Sequence, residues 1–407
     1  MIEFLILINL IGYFINMKFI ANPFKIFFML WFFVFLTLYL TIDDWVEISN
    51  EFIVVNITTS LSVLLLSYIL KGKTECLHSW RDENALNELF INRYLCFVFQ
   101  IICFIGLFLA YYRVSLLIPD NIFSPVGYTK LRMSIGDDTV DYGILAYFFT
   151  LSFIVTSLTI ILRVRGEVGS IRLILSIISS LSYCYLSTGR TFFLMFFCFS
   201  FAPLFVLGVV RRQHIVLISI VIVLLFILVA YLTGKGISEE QSFIENINSF
   251  LENLRSYTIA PVVAMNMLIE QISNSSIFYG EYSFRFIFVF LSKLGVYDGS
   301  VMPLIKDFVD TPYPTNVYTV YDIYVRDFGY FGFASVFFIM FFHFVLYEKC
   351  MLKGGFYVFL YSASLYPLIM QFFQDQYLSL LSTWIQVSVI YYILTSSSHQ
   401  DNCRSRV

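Results

Sequence analysis

Apolar runs of 15–20 residues recur along this chain, and very few carry a charge. In a helix, about 20 such residues cross the hydrocarbon of a bilayer. Charged residues make up 13% of the 407, half the ~25% of a soluble globular domain, and the mean hydropathy is +0.81. Backbone groups left unpaired in hydrocarbon cost several kcal/mol each, so spans of this kind must be helical. The expected fold class is an all-α polytopic membrane protein.

The runs place eleven spans near 2–16, 26–42, 52–70, 94–112, 144–162, 173–187, 192–210, 215–233, 329–347, 356–372 and 378–395. Basic residues set the orientation. One set of connections holds 15 basic and 7 acidic residues, the other 10 and 21. The basic side is read as cytoplasmic, which puts the N-terminus outside and the C-terminus inside. Met1–Ile15 has neither a basic leader nor a small-residue cleavage site and reads as a retained span. None of the seven cysteines falls in the two long outer connections, which argues against a disulfide framework. No Walker-type or dinucleotide-binding glycine loop is present, so energy from ATP is not expected to enter through this chain; no nucleic acid is an expected partner.

This divides the chain into an N-terminal bundle (1–233), a large outer loop (234–328), three C-terminal spans (329–395) and a cytoplasmic tail (396–407). The first outer connection, Arg113–Gly143, contains Pro119, Pro125 and Gly127 and reads as irregular. Its Asp137, Asp138 and Asp141 read as a solvated face rather than a cation site. In the large loop, Phe243, Ile247, Phe250, Leu251 and Leu254 repeat at helical spacing and suggest an interfacial amphipathic helix. Tyr257–Ile272 is a second apolar piece, and Phe284–Tyr297 is too short to span and reads as interfacial or re-entrant. Asp310–Pro314 reads as a turn.

The chemistry is expected in this loop and in the helix ends facing it. Arg190 sits in the tight outer turn Ser187–Thr191. A guanidinium there can pair bidentately with the diphosphate of a lipid-linked substrate. The plain alternative is an arginine marking the membrane edge. Arg255, Arg285 and Arg326 lie on the same side, each with a nearby acid as an ordinary surface partner, namely Glu252, Glu281 and Asp327. Tyr313, Tyr318, Tyr321 and Tyr324, with Asn316 and Asp322, suit sugar recognition or an interfacial aromatic belt. All four histidines map to cytoplasmic connections, the tail or the inner half of a span. An outer site would then take its base from Glu281, Asp322 or Asp327. No acidic or histidine pattern implies a metal, and no cofactor is expected.

Three stretches carry a resemblance: Thr188-Gly189-Arg190-Thr191 entering an apolar helix; Gly280-Glu281-Tyr282-Ser283-Phe284-Arg285-Phe286; and Thr315-Asn316-Val317-Tyr318 followed by Tyr324-Val325-Arg326-Asp327-Phe328-Gly329 and Gly332. With Asn22-Pro23 ahead of the second span, the chain resembles the O-antigen polymerases, the oligosaccharide repeat-unit (Wzy) polymerases of Gram-negative bacteria. The resemblance implies a GT-C-like helical fold in the inner membrane and a periplasmic active face. It also implies essential loop arginines, carried over to Arg190 and Arg285, a substrate linked to undecaprenyl diphosphate, and a chain-length regulator as partner. A growing glycan would pass from one polyprenyl diphosphate to a lipid-linked repeat unit. Fixed arginines would stabilise the leaving diphosphate, a carboxylate would deprotonate the acceptor hydroxyl, and the polyprenyl chains would lie along the helices among membrane lipids. The competing class is a transporter that flips the same lipid-linked unit, disfavoured by nearly charge-free spans and one very long loop. An O-antigen ligase ranks lower because the motif-bearing loop lacks a histidine.

Overall fold

The computed structural model describes residues 1–17, 21–79, 89–136, 140–210, 243–272, 277–303 and 306–396. They are helical apart from short connections and one small hairpin. Ten of the eleven apolar runs are helices, and the run at 215–233 lies outside the described residues. Six helical segments are long and apolar enough to cross a membrane: Pro23–Leu40, Asn50–Lys73, Arg93–Leu117, Gly143–Val164, Ser170–Ser187 and Asp322–Lys353. Four more apolar helices are shorter, so the described residues support a multi-pass membrane protein without fixing eleven crossings.

The chain divides into two compact units, both discontinuous in sequence. The first draws on Met1–Trp80, Leu251–Leu352 and Ser364–Trp384. It opens with α1 (Ile2–Ile15), α2 (Pro23–Leu40) and α3 (Asn50–Ser79). The start of α2 is written locally: Asn22 accepts the Phe24 N–H at 2.9 Å, and Pro23 occupies the first turn, where no N–H is missed. Asn9 of α1 and Asn16, at its C-terminal cap, reach Ser60 and Ser67 of α3, each at 3.3 Å. Both members of this second pair lie seven residues beyond the first, so one helix face carries both contacts. Such interhelical bonds add about 0.6 kcal/mol apiece in membranes, and they fix register more than they stabilise.

Helix α9 (Phe243–Ile272) corrects the expectation of two separate pieces. It is continuous through Pro261, which gives up one backbone hydrogen bond. Burial holds it together there, since Ile259, Ala260, Val262, Val263, Ala264 and Met265 are at most 3% exposed. Leu251 and Leu254 are exposed, while the side chains of Phe243, Ile247 and Phe250 are outside the described set. Asn266 ties the helix to the end of the α2–α3 connection. Its Oδ1 accepts the Ser49 N–H and hydroxyl, and its Nδ2 donates to the Glu47 carbonyl.

Beyond α9 come α10 (Arg285–Lys293), the hairpin β1 (Val309–Thr311) and β2 (Tyr313–Thr315), and α11 (Asp322–Phe328). The antiparallel hairpin occupies the expected turn and, among the described residues, is the exception to an all-α fold. Helix α10 exposes Phe286, Ile287 and Phe290, a face suited to a bilayer surface. A 3₁₀ stretch, Gly329–Ala334, leads from α11 into α12 (Ser335–Lys353). Gly332 is required there, because a Cβ would lie 2.3 Å from the Tyr324 carbonyl oxygen. Helix α13 (Phe356–Ile369) and α14 (Leu381–Thr395) close the chain.

The second unit draws on Arg81–Phe250, Lys353–Ala363 and Ile385–Val407. Its described helices include α4 (Arg93–Leu117), α5 (Pro125–Gly136), α6 (Ala146–Val164), α7 (Ser170–Ser187) and α8 (Arg190–Val206). Every residue of α6 from Phe149 to Leu162 is buried. A hydroxyl layer joins α6 to α7, with Thr156 2.9 Å from Ser176 and 2.8 Å from Ser180. Helix α5 corrects the expectation of irregular structure in the first outer connection. Pro125 opens it, and the Ser124 hydroxyl accepts the Gly127 N–H at 3.1 Å, so the residues read as breakers are a cap and a first-turn proline.

Candidate functional site

Helix α11 supplies the centre of the site in the first unit. Asp322 and Arg326 are four residues apart and therefore share a face. Arg326 Nε donates to Asp322 Oδ1 at 2.6 Å, and the Lys306 ammonium lies 2.9 Å from Oδ2. Asp322 is nearly sealed, with 7% of its side chain exposed, so both its oxygens are spent on cations in a partly desolvated setting.

The next residue, Asp327, does different work. Fully buried, it accepts the Tyr282 N–H at 3.1 Å and the Ser283 N–H at 2.6 Å. The carbonyls of Arg326 and Asp327 take the N–H groups of Phe278 and Tyr279. The segment 278–283 is thereby fastened to the end of α11. Gly280, at φ +101°, supplies the backbone turn that allows it. The consequence is that Tyr282 lies against Arg326, whose guanidinium carbon is 5.6 Å from that ring and 4.9 Å from the ring of Tyr318. Lys306 also stands over Tyr282, at 5.6 Å. Each such contact adds about 0.5–2 kcal/mol and fixes the cation's direction. Burial pushes the Tyr282 and Tyr318 hydroxyls above the usual tyrosine range, with Arg326 pulling the other way, so both are donors at neutral pH.

These groups face a cavity of about 220 Å³. Arg326, Lys306, Tyr282, Tyr318 and Asp307 line it, and the buried half of α9 supplies the apolar wall and Gln271. Asp322 stands behind the two cations rather than on the wall. A guanidinium has five N–H donors and an ammonium three, more than Asp322 consumes. The wall therefore presents two cations, one carboxylate, an amide and two aromatic faces, which suits an anionic group attached to a polyhydroxylated one.

The site residues expected from the sequence divide clearly. Arg326, Asp322 and Tyr318 come together, and Asp327 holds the scaffold behind them. Arg285 opens α10 and its Nε donates to the Met302 carbonyl at 2.7 Å, beside the cavity wall but not on it. Glu281 accepts the Tyr297 hydroxyl at 3.2 Å. Arg255 pairs with Asp44 and stacks on Trp45, 5.4 Å from its ring. Tyr321 is core, packed on Trp31 and Phe333. Tyr324 points its hydroxyl at Asp375, at 3.0 Å, and is 6% exposed. Asn316 is half-buried and makes no hydrogen bond among the described residues. Lys306 and Asp307 were not anticipated; their only trace in the sequence is a charged pair in the apolar stretch after Pro303.

Arg190 belongs to the second unit. It opens α8 directly after Thr188, whose backbone is left-handed at φ +53°, and Gly189. The Ser187 hydroxyl is occupied by the Cys184 carbonyl. The charges of Arg190 and Arg132 both bear on buried Tyr128, whose hydroxyl is pushed up to about 12 by burial, with the two arginines opposing. Asp137 and Asp138 lie outside the described residues, and Asp141 accepts the Gly143 N–H at 2.8 Å. Among the described residues no group of three or more His, Cys, Asp or Glu is placed to hold a metal ion.

A second polar cluster in the first unit was missed in the sequence. Gln371 accepts the Trp31 indole N–H at 3.3 Å and donates to the Tyr377 hydroxyl at 3.2 Å. Tyr377 lies 2.8 Å from Nε2 of buried His343, and Asp375 takes both the Tyr324 hydroxyl and the Ser379 N–H. The imidazole expected to stand apart is thus connected to the stretch that also supports α11. The run Gln371–Tyr377, dense in amides between two apolar helices, was the available signal.

No family model, no curated protein and no solved structure matches this chain. The likeness to the repeat-unit polymerases accordingly rests on the short motifs quoted above.

Proposed function

We propose that this chain is a membrane glycosyltransferase that polymerises undecaprenyl-diphosphate-linked oligosaccharide repeat units at the periplasmic face of the bacterial inner membrane. The observation that carries the reading is the cavity lined by Arg326, which stands between the Tyr282 and Tyr318 rings, and by Lys306 over Tyr282, both cations anchored by Asp322. The transfer breaks a bond from an anomeric carbon to a phosphate oxygen, and the charge released must be stabilised as it forms. Fixed cations in a partly dry cavity do this without reorganising. The tyrosine faces and Gln271 suit the sugar next to the phosphate. A chain-length regulator is the expected partner on this reading.

The test is Arg326→Ala in cells, judged by the length distribution of surface polysaccharide. Loss of one such donor is worth a factor of about 10²–10³ in rate, so the long-chain ladder should disappear while the protein stays in the membrane at normal amounts. A full ladder at normal expression removes Arg326 from the mechanism. A transporter reading is favoured by one observation, the buried Trp31–Gln371–Tyr377–His343 cluster, since polar groups inside spans often mark a transport path. Deletion separates the two: a lost polymerase leaves single repeat units on the surface, a lost transporter strands them in the cell.

A further inference from the structure

The transfer proposed above needs a group that takes the proton of the acceptor hydroxyl, and accounting for the carboxylates around the cavity narrows the choice to one. Between residues 277 and 328 they are Glu281, Asp298, Asp307, Asp310, Asp322 and Asp327. Asp322 is behind the wall with each oxygen on a cation, and could take a proton only by giving up Lys306 or Arg326. Asp327 is fully buried and holds two backbone N–H groups. Glu281 is bonded by Tyr297 away from the wall, and Asp298 and Asp310 do not line the cavity. Asp307 does line it, is exposed to whatever enters, and makes no hydrogen bond or ion pair among the described residues. It lines the cavity together with Lys306 and Arg326, and its charge bears on the hydroxyls of Tyr282 and Tyr318.

We propose that Asp307 is the proton acceptor of the glycosyl transfer, an assignment that rests on the polymerase reading. The acceptor hydroxyl oxygen bonds to the anomeric carbon as the bond from that carbon to the phosphate oxygen breaks. The electron pair leaves with the lipid diphosphate, facing Lys306 and Arg326. The hydroxyl proton passes to the Asp307 carboxylate and then to water, which restores the starting state. Cations and a base lining the same cavity give the leaving group and the acceptor separate partners.

The experiment compares full-length Asp307→Asn, Asp307→Glu and Arg326→Ala, each expressed in a deletion background. Extension of radiolabelled repeat units is followed in isolated membranes, and inorganic pyrophosphate binding is measured on each purified protein. Asp307→Asn should slow extension about 10²-fold or more while binding pyrophosphate as well as the parent or better, because a negative charge has gone. Asp307→Glu should recover part of the rate. Asp307→Asn extending at the parental rate while Arg326→Ala does not would overturn the assignment and leave the polymerase reading standing. Asp307→Asn losing pyrophosphate binding along with extension would also overturn it, by making Asp307 a support for the cations. Parental extension by Arg326→Ala would take this cavity, and the assignment with it, out of the mechanism, and no extension by the parental protein itself would defeat the polymerase reading and this assignment together.

Discussion

Asp327 offers a direct test of whether a motif carboxylate serves chemistry or architecture. Its two oxygens accept the N–H groups of Tyr282 and Ser283, and it is fully buried. Replacing it by alanine leaves both donors without an acceptor. An orphaned buried donor costs about 1–3 kcal/mol. Ser283 is fully buried and bears the whole penalty; Tyr282 is only partly buried and bears less. Asp327→Ala should therefore destabilise the first unit by about 2–5 kcal/mol. Asp327→Asn retains one oxygen and turns an amide NH₂ toward the other N–H, so it should lose roughly half as much. The assay is thermal unfolding of the detergent-solubilised protein, read by tryptophan fluorescence because Trp31 and Trp45 lie in the same unit. A graded fall in the midpoint, alanine below asparagine below parent, is expected. If Asp327→Asn abolished polysaccharide extension with the midpoint unchanged, the clamp would be refuted and a chemical role for Asp327 restored.

Two further perturbations probe the elements that hold α11. Gly332→Ala puts a Cβ 2.3 Å from the Tyr324 carbonyl oxygen and 2.5 Å from the Val325 nitrogen. Backbone cannot step aside as a side chain can, so a loss at the upper end of about 1–3 kcal/mol is expected in the same melt, and an unchanged midpoint would show that the contact is slack. Tyr377→Phe removes the hydroxyl shared by His343 and Gln371. It should cost about 1–3 kcal/mol and be rescued in part by His343→Leu, which removes one of the stranded polar groups; additive losses in the double variant would show that the two do not interact.

The helices were legible in the sequence because the bilayer acts on each segment alone. A run such as Phe24–Leu40 must satisfy its backbone internally wherever it lands, and Asn22-Pro23 writes its beginning. The errors came where tertiary burial, or a cap not read as one, changed what a breaker residue does. Pro261 does not end α9, because its neighbours are buried on all sides, and Pro125 begins a helix because Ser124 caps it. Residues 309–315 form a hairpin where periodicity gave only a turn.

The arginines were legible as residues but not as a site. Nothing in the sequence distinguishes Arg326, which faces the cavity, from Arg255, turned to Asp44 and Trp45, or Arg285, turned to Met302. A guanidinium's role is decided by which acceptors reach it, and Asp44 is 211 residues away from Arg255 along the chain. The carboxylates obey the same logic: Asp322, Asp327 and Asp307 look alike in sequence and differ only in what donates to them. Local hydropathy and helix starts thus determined where the chain folds into membrane-type helices. The long-range meeting of residues 264–271, 282, 306–309, 318 and 326 around one cavity was decided by packing, because no period or adjacency links one of these segments to the next.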